Sequence, residues 1–437
     1  LNWFSFLDKK TEKHYTFGRG INADIPKQEE ELFDLSYTEF EKKNILQAYE
    51  YFFLSQENFC NDTSNNNIIL TKQNEKLLFE IFQGSALIHG YVTAEHLYAE
   101  AILVKAKDAS VALKRYLLER NYQLTYANYF IEDAYIKMKL YHDNITMNPH
   151  KVFFPIRELA LNADFDKEYI RYEFSDTPLE DIEHLEPLSL EELHVKYDAM
   201  MQWFTELENK IATFPSNDNA GMKAFAYLNI LFQIDYLIVP KYNIYQKLSK
   251  KVQEYFSEEE LTTEAKNEEL KEYIDELHAM KFEDFTQAFY KAKYTFNPSD
   301  RTPQEEINNF ISESMLKIRW YKNNRYNQII PTIYKYIAFY ILYNYGVHPL
   351  TRSLLHLLVQ IQNQEYFVAL GYAPLYNENE NTFSKRTIIS KVEDIITPYQ
   401  SRFKELKIFG NDLNFTSLNE FSNSFYTQIK HLNFEEV

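Results

Sequence analysis

From Ser36 onward, apolar residues recur every three or four positions. Phe40, Ile45, Tyr49, Phe52 and Phe53 mark one face of an amphipathic helix. The polar stretch from Asn61 to Asn67 ends that pattern and reads as a loop. The period then drops to two. Leu77, Phe79 and Ile81 alternate with Glu80 and Phe82, and Gly84-Ser85 makes a turn. Leu87 to Val92 and Leu97 to Val104 follow, divided by Thr93-Ala94-Glu95, so three short antiparallel strands are expected. Ser110 is a candidate cap for a helix through Leu113 and Leu117. Two further strand-like runs, 124–131 and 134–141, flank Glu132-Asp133. Asn148-Pro149 then opens another helix, with Asn at the cap and Pro in the first turn.

The order over 36–174 is thus helix, three strands, helix, two strands, helix. An antiparallel sheet covered by helices on one face satisfies it, an α+β sandwich. Residues 1–35 form a polar lead-in with an acidic run, Glu29-Glu30-Glu31. Residues 175–188 combine Pro178 and Pro187 with many carboxylates and read as an acidic connector between domains. From 189 to 437 the pattern is helical throughout. Helices are expected at 189–213, 220–239, 242–256, 263–280, 282–294, 303–322, 326–345 and 349–370, with a further pair beyond Asn377 to Asn381. No shared signature recurs at a fixed period of roughly 30 to 45 residues. A helical bundle and a degenerate helical repeat both satisfy this half.

The element order of residues 36–170 resembles the type III secretion chaperone-like superfamily, including its YbjN-like branch. The resemblance covers about a third of the chain and rests on the order and short connections, without a diagnostic motif. It implies a protein-binding domain, often homodimeric, with no catalytic residues to carry over.

Composition narrows the chemistry. The chain has 437 residues, with 46 Lys and Arg against 64 Asp and Glu, a formal charge of −18. That balance disfavours nucleic acid and favours basic protein partners. The single cysteine, Cys60, excludes a disulfide framework and a thiolate zinc cluster. Eight glycines leave little material for phosphate-cradling loops, and Phe17-Gly18-Arg19-Gly20 reads as a flexible turn, since it neither follows a strand nor opens a helix. The first residues lack the basic leader and long apolar stretch of a signal peptide, so a cytoplasmic location is expected. The apolar segments 224–239 and 329–347 are interrupted by polar residues and read as buried helices, with no membrane span.

Histidine pairs such as His89/His96 and His348/His356 lack the converging partners of a metal site, so neither metal nor cofactor is expected. Asp235 stands alone in an apolar helix, and Arg319 to Arg325 interleaves cations with aromatics at a helix end. The expected function is that of a non-enzymatic, cytosolic protein-interaction protein, chaperone-, adaptor- or immunity-like. Tyr49, Phe52 and Phe53 on the first helix are the candidate partner-binding residues, with the sheet face beside them. The competing reading is an enzyme whose dispersed site lies in a cleft between the two domains.

Overall fold

The computed structural model describes residues 15–18, 27–57, 66–217 and 219–436. The α+β region opens with two helices, α1 (Lys27–Glu41) and α2 (Ile45–Leu54). The single helix expected from Ser36 is broken at Lys42 to Asn44, where Lys43 takes a left-handed backbone (φ 62°). The end of the expected lead-in is helical, because Glu29 and Glu30 occupy the first turn of α1, where the helix dipole favours negative charge.

Six strands follow: β1 (Ile68–Gln73), β2 (Lys76–Gln83), β3 (Ala86–Val92), β4 (His96–Lys105), β5 (Asn128–Glu132) and β6 (Tyr135–Asp143). They form one antiparallel sheet in the order β1-β2-β3-β4-β6-β5. The expected five strands are present, and β1 is added at an edge. Only Ile68 of β1 is buried, so it carries no alternating apolar signature. Three hairpins close through two residues each: Asn74-Glu75, Gly84-Ser85 and Asp133-Ala134. Asp133 and Ala134 both have positive φ, the geometry of a twisted two-residue turn.

Helix α3 (Val111–Arg120) crosses between β4 and β5, and the Ser110 side chain accepts a bond from Leu113 N–H as its cap. Helix α4 (Pro149–Glu173) is capped by Asn148, which accepts from Lys151 N–H at 3.0 Å. It lays Val152, Ile156, Leu159, Ala160 and Ala163 on the sheet's inner face, against Leu97, Ala99, Ala101, Met138 and Leu140. Gly90 in β3 faces Phe79 across the register; a Cβ there would lie 2.1 Å from the Phe79 ring. The absent side chain lets Phe79 lie flat and meet Phe53 at 4.4 Å between ring centroids.

Residues between α4 and Ser189 are irregular. They are fastened by a bridge from Leu179 to Val104 and another from Glu186 to Lys291. The helices beyond are α5 (Leu190–Ile211), α6 (Ala220–Gln233), α7 (Tyr242–Ser257), α8 (Thr263–His278), α9 (Phe282–Thr286), α10 (Gln304–Asn323), α11 (Ile330–Asn344), α12 (Pro349–Gln362), α13 (Gln364–Ala369), α14 (Lys385–Ile396) and α15 (Leu418–Lys430). The fold is therefore an antiparallel sheet with helices followed by a helical region, as expected. The two very apolar segments become α6 and α11, packed against each other at the centre with four helices intervening in the chain. A solenoid pairs each element with its chain neighbours, whereas this arrangement encloses one core as a bundle does. No helix among the described residues is long and apolar enough to cross a membrane.

Three expected helices differ. The 282–294 segment is helical only over α9; beyond it the chain extends to bridge Glu186 and to place Phe296 in the core of the sheet region. The 349–370 segment breaks at Asn363 (φ −123°, ψ 40°) into α12 and α13. The 220–239 segment ends in a wider turn, Ile234–Ile238, closed by a bond from Val239 N–H to Ile234 O, five residues back.

Candidate functional site

Alternation along the strands sends every second side chain to the face opposite α4. On that outer face the register stacks residues from neighbouring strands into lateral rows. Leu78, Tyr91, Tyr98 and Tyr141 form one row across β2, β3, β4 and β6. Glu80, His89, Glu100 and Lys139 form the next. The Tyr91 and Tyr98 rings stack at 5.2 Å, and His96 sits beside Tyr91 and Tyr141. Lys76 lies over Tyr91, and Lys139 over both Tyr98 and Phe130, so cations cover the aromatic faces. The charged row is paired with its surroundings: Lys137 reaches Glu100 at 3.1 Å, and His89 reaches Asp181 of the connector at 3.0 Å. That contact, aided by Glu80 and Glu100, outweighs burial and raises the affinity of His89 for its proton.

No helix covers this face among the described residues; the connector meets it at His89 and, through His184, at Phe82, whose ring also lies under the Lys293 amine. Large apolar groups of this face reach solvent towards the β5 edge: Tyr141 is 63% exposed and Phe130 49%. Aromatic groups framed by charges, on a rigid sheet, can bury a partner's apolar side chains while neighbouring carboxylates engage its cations.

The residues singled out on the first helix lie elsewhere. Tyr49, Phe52 and Phe53 have no exposed surface at all. Tyr49 gives its hydroxyl proton to Asn144 at 2.7 Å, and Phe53 packs on Phe79 of β2. They belong to the core beneath the sheet, so the expectation that they form a partner-binding surface is corrected. The apolar face of α2 turns inward because it is one of the helices covering the inner face.

The space between sheet and helical region, where the competing reading would put an active site, is filled by a polar junction. Asp164 accepts from Ser85 N–H at 2.7 Å and from its hydroxyl at 2.8 Å. The buried Lys167 amine donates to the carbonyls of Ser85, Glu180 and Asp181 at 3.2, 2.9 and 2.9 Å. Glu168 accepts from the Tyr290 hydroxyl and from Tyr242 N–H, and Lys241 donates to Tyr294. Burial, reinforced by Asp164 and opposed by Lys241, raises the Glu168 carboxyl to about 7. Burial lowers the Lys167 amine to about 8 against the pull of Asp181 and Asp164. Between Asp164 and Lys167 in the sequence, Asp166 binds Tyr116, Tyr129 and Arg120, tying α3 and β5 to α4. These groups saturate one another, so the arrangement reads as a fastening between the two halves. The sequence hid it because Asp164-Phe165-Asp166-Lys167-Glu168 looks like a solvated helix end.

Other expectations resolve individually. Asp235 lies buried in the wide turn after α6, and its neighbour Tyr236 bonds His356 at 2.9 Å. His348 caps α12, its Nδ1 accepting from Leu350 N–H at 3.1 Å; burial and then Arg301 lower its pKa to about 3. Arg319 to Arg325 ends α10, with Trp320 exposed and its ring edge-on to Tyr321. Phe17-Gly18, expected to be a flexible turn, is docked: Gly18 N–H bonds Tyr236 O at 2.9 Å. Arg19, Gly20 and Cys60 lie outside the described residues. Among the described residues, no group of three or more His, Cys, Asp or Glu could hold a metal ion. In comparisons with known proteins, no family model matches the chain and no curated protein matches it significantly.

Proposed function

We propose that the chain is a non-enzymatic protein-binding protein of the cytoplasm, chaperone-, adaptor- or immunity-like, and that the outer face of its sheet takes up the partner. The observation that supports this most is the face that no described helix covers, with its tyrosine row ending in exposed Tyr141 and with Phe130 exposed two positions further along on β5. The element order from α1 to α4 is compatible with the chaperone-like resemblance, with one helix and one strand more than that order requires. The net charge of −18 favours a partner surface with basic groups. The saturated junction gives the enzymatic reading no support.

The test is a pair of exposed substitutions, Tyr141→Ser with Phe130→Ser, compared with Trp320→Ser on α10. A partner captured by the native chain should be lost by the sheet-face variant and kept by the α10 variant, with all three melting alike. Capture that survives the sheet-face substitutions, or falls equally with Trp320→Ser, would refute the assignment.

A further inference from the structure

The wide turn after α6 ends a helix in the interior of the bundle, and a helix end leaves backbone carbonyls without helical donors. Here three successive carbonyls, those of Tyr236, Leu237 and Ile238, need partners from outside the helix. Ile238 O receives the Lys196 amine at 2.8 Å, and Leu237 O receives the Tyr366 hydroxyl at 3.0 Å. Leu237 O also takes the Lys196 amine at 3.3 Å, and further donors come from the far N-terminal segment Tyr15 to Gly18. The Tyr15 hydroxyl donates to Leu237 O and meets the Tyr366 hydroxyl at 2.9 Å. Gly18 N–H donates to Tyr236 O at 2.9 Å.

The side chains of this segment fit as anchors do. Tyr15 stands edge-on to Tyr366, Phe367 and Tyr372, and its ring lies over the Lys196 amine. Phe17 stacks on His356 with centroids 3.9 Å apart and planes 19° apart. At Gly18 a Cβ would come within 2.4 Å of the Asp235 carbonyl oxygen, so only glycine lets the backbone approach. A main-chain bond, two aromatic anchors and a position restricted to glycine are the parts of a peptide recognition site.

We propose that this slot on the helical region is a peptide-binding site, that Tyr15–Gly18 is its built-in occupant, and that it accepts a Tyr-x-Phe-Gly segment from a partner in its place. The slot selects that chemistry. It offers a carbonyl to a phenol, a carbonyl to a backbone N–H, an imidazole face to a second ring, and no room for a side chain at the fourth position. The resident segment is tethered to the same chain, so its effective concentration holds the slot closed against a free competitor. The inference is independent of the sheet-face reading, since it concerns a different surface.

The experiment uses the full chain carrying Tyr15→Ala with Phe17→Ala, and a fluorescent peptide of residues 13–20, followed by anisotropy. The double variant should bind the peptide saturably and at least tenfold more tightly than the native chain. A peptide carrying the Gly18→Ala change should bind at least tenfold more weakly. An amine-acylating reagent read by mass spectrometry should modify Lys196 in the double variant, spare it in the native chain, and spare it again once peptide is added. A second variant, Gly18→Ala in the chain, displaces the segment by the backbone clash alone and should behave as the double variant does. Equal peptide affinity for native and variant chains, or indifference to the peptide's glycine, would overturn the proposal. So would unfolding of the helical region in both variants, which would make the segment part of the core.

Discussion

Replacing Phe53 by Ala distinguishes a core residue from a docking residue. Its side chain is wholly inaccessible, with ring neighbours Phe79 at 4.4 Å, Phe52 at 5.3 Å and Tyr49 at 6.2 Å. Truncating a buried phenylalanine costs about 3–5 kcal/mol, the lost transfer energy plus the cavity left behind. The site cannot collapse readily, because Phe79 is held over Gly90 by the strand register and α2 is packed against both β1 and β2. The cost therefore belongs near the middle of that range or above, about 4 kcal/mol. For a unit of this size each kcal/mol moves the midpoint by roughly 2–4 °C, so the sheet region should melt roughly 8–16 °C lower. Far-UV circular dichroism follows the whole chain, whereas tryptophan emission in a Trp3→Phe background reports Trp203 and Trp320, both in the helical region. The early loss should be large by circular dichroism and smaller by emission. A Phe53→Ala chain that melts as the native chain does would refute the packing argument and return α2 to the surface.

Lys196 is buried, and that burial lowers its amine to about 8 despite the nearby Glu192 carboxylate. An unfolded lysine titrates near 10.5, so the unfolded state holds the proton more tightly and native stability rises with pH between 8 and 10.5. Relative to Lys196→Met, the native chain should gain about 2 kcal/mol from pH 8 to 9.5 in denaturant titrations; parallel curves would exclude a buried amine. Glu168 works in the opposite sense: its carboxyl is raised from 4.5 to about 7, so its contribution is complete below pH 4.5 and lost as the pH rises through 7. Glu168→Gln should remove that slope, up to about 3 kcal/mol, and an unchanged pH profile would count against it. Gly84 has φ +55°, and a Cβ there would meet the Asp164 carboxylate at 2.2 Å. Gly84→Ala should destabilise by more than the ~1–2 kcal/mol of a left-handed backbone, measurable as a lower denaturation midpoint.

Much of this architecture is written in local pattern. Ser110 and Asn148 cap the helices they were expected to cap, and the alternation of Leu97, Ala99 and Ala101 with Tyr98 and Glu100 separates the two sheet faces. What periodicity cannot distinguish is the environment of an apolar stripe. Tyr49, Phe52 and Phe53 read equally as an anchor surface or as core, and packing against the sheet decides between them. Phe285, Phe289 and Tyr290 imitate a helical period, yet only Phe285 lies in a helix, because the following chain is drawn out to reach the sheet region. The outer-face rows depend on strand register, a long-range property no single strand displays. The junction escaped for the same reason: Asp164 and Lys167 find partners at Ser85, and Glu168 at Tyr290, far from them in sequence.

Phe296 completes the core beneath the sheet, edge-on to Phe153, while Thr295 binds Asn67, Phe82 and Gln83. During translation the ribosome will have delivered all six strands and α4 long before it delivers this ring. The nascent sheet therefore waits, with a gap in its core, until α5 to α9 have been synthesised. A chain terminated in the acidic connector would own every strand yet remain unfinished, a substrate for quality control instead of a free-standing domain.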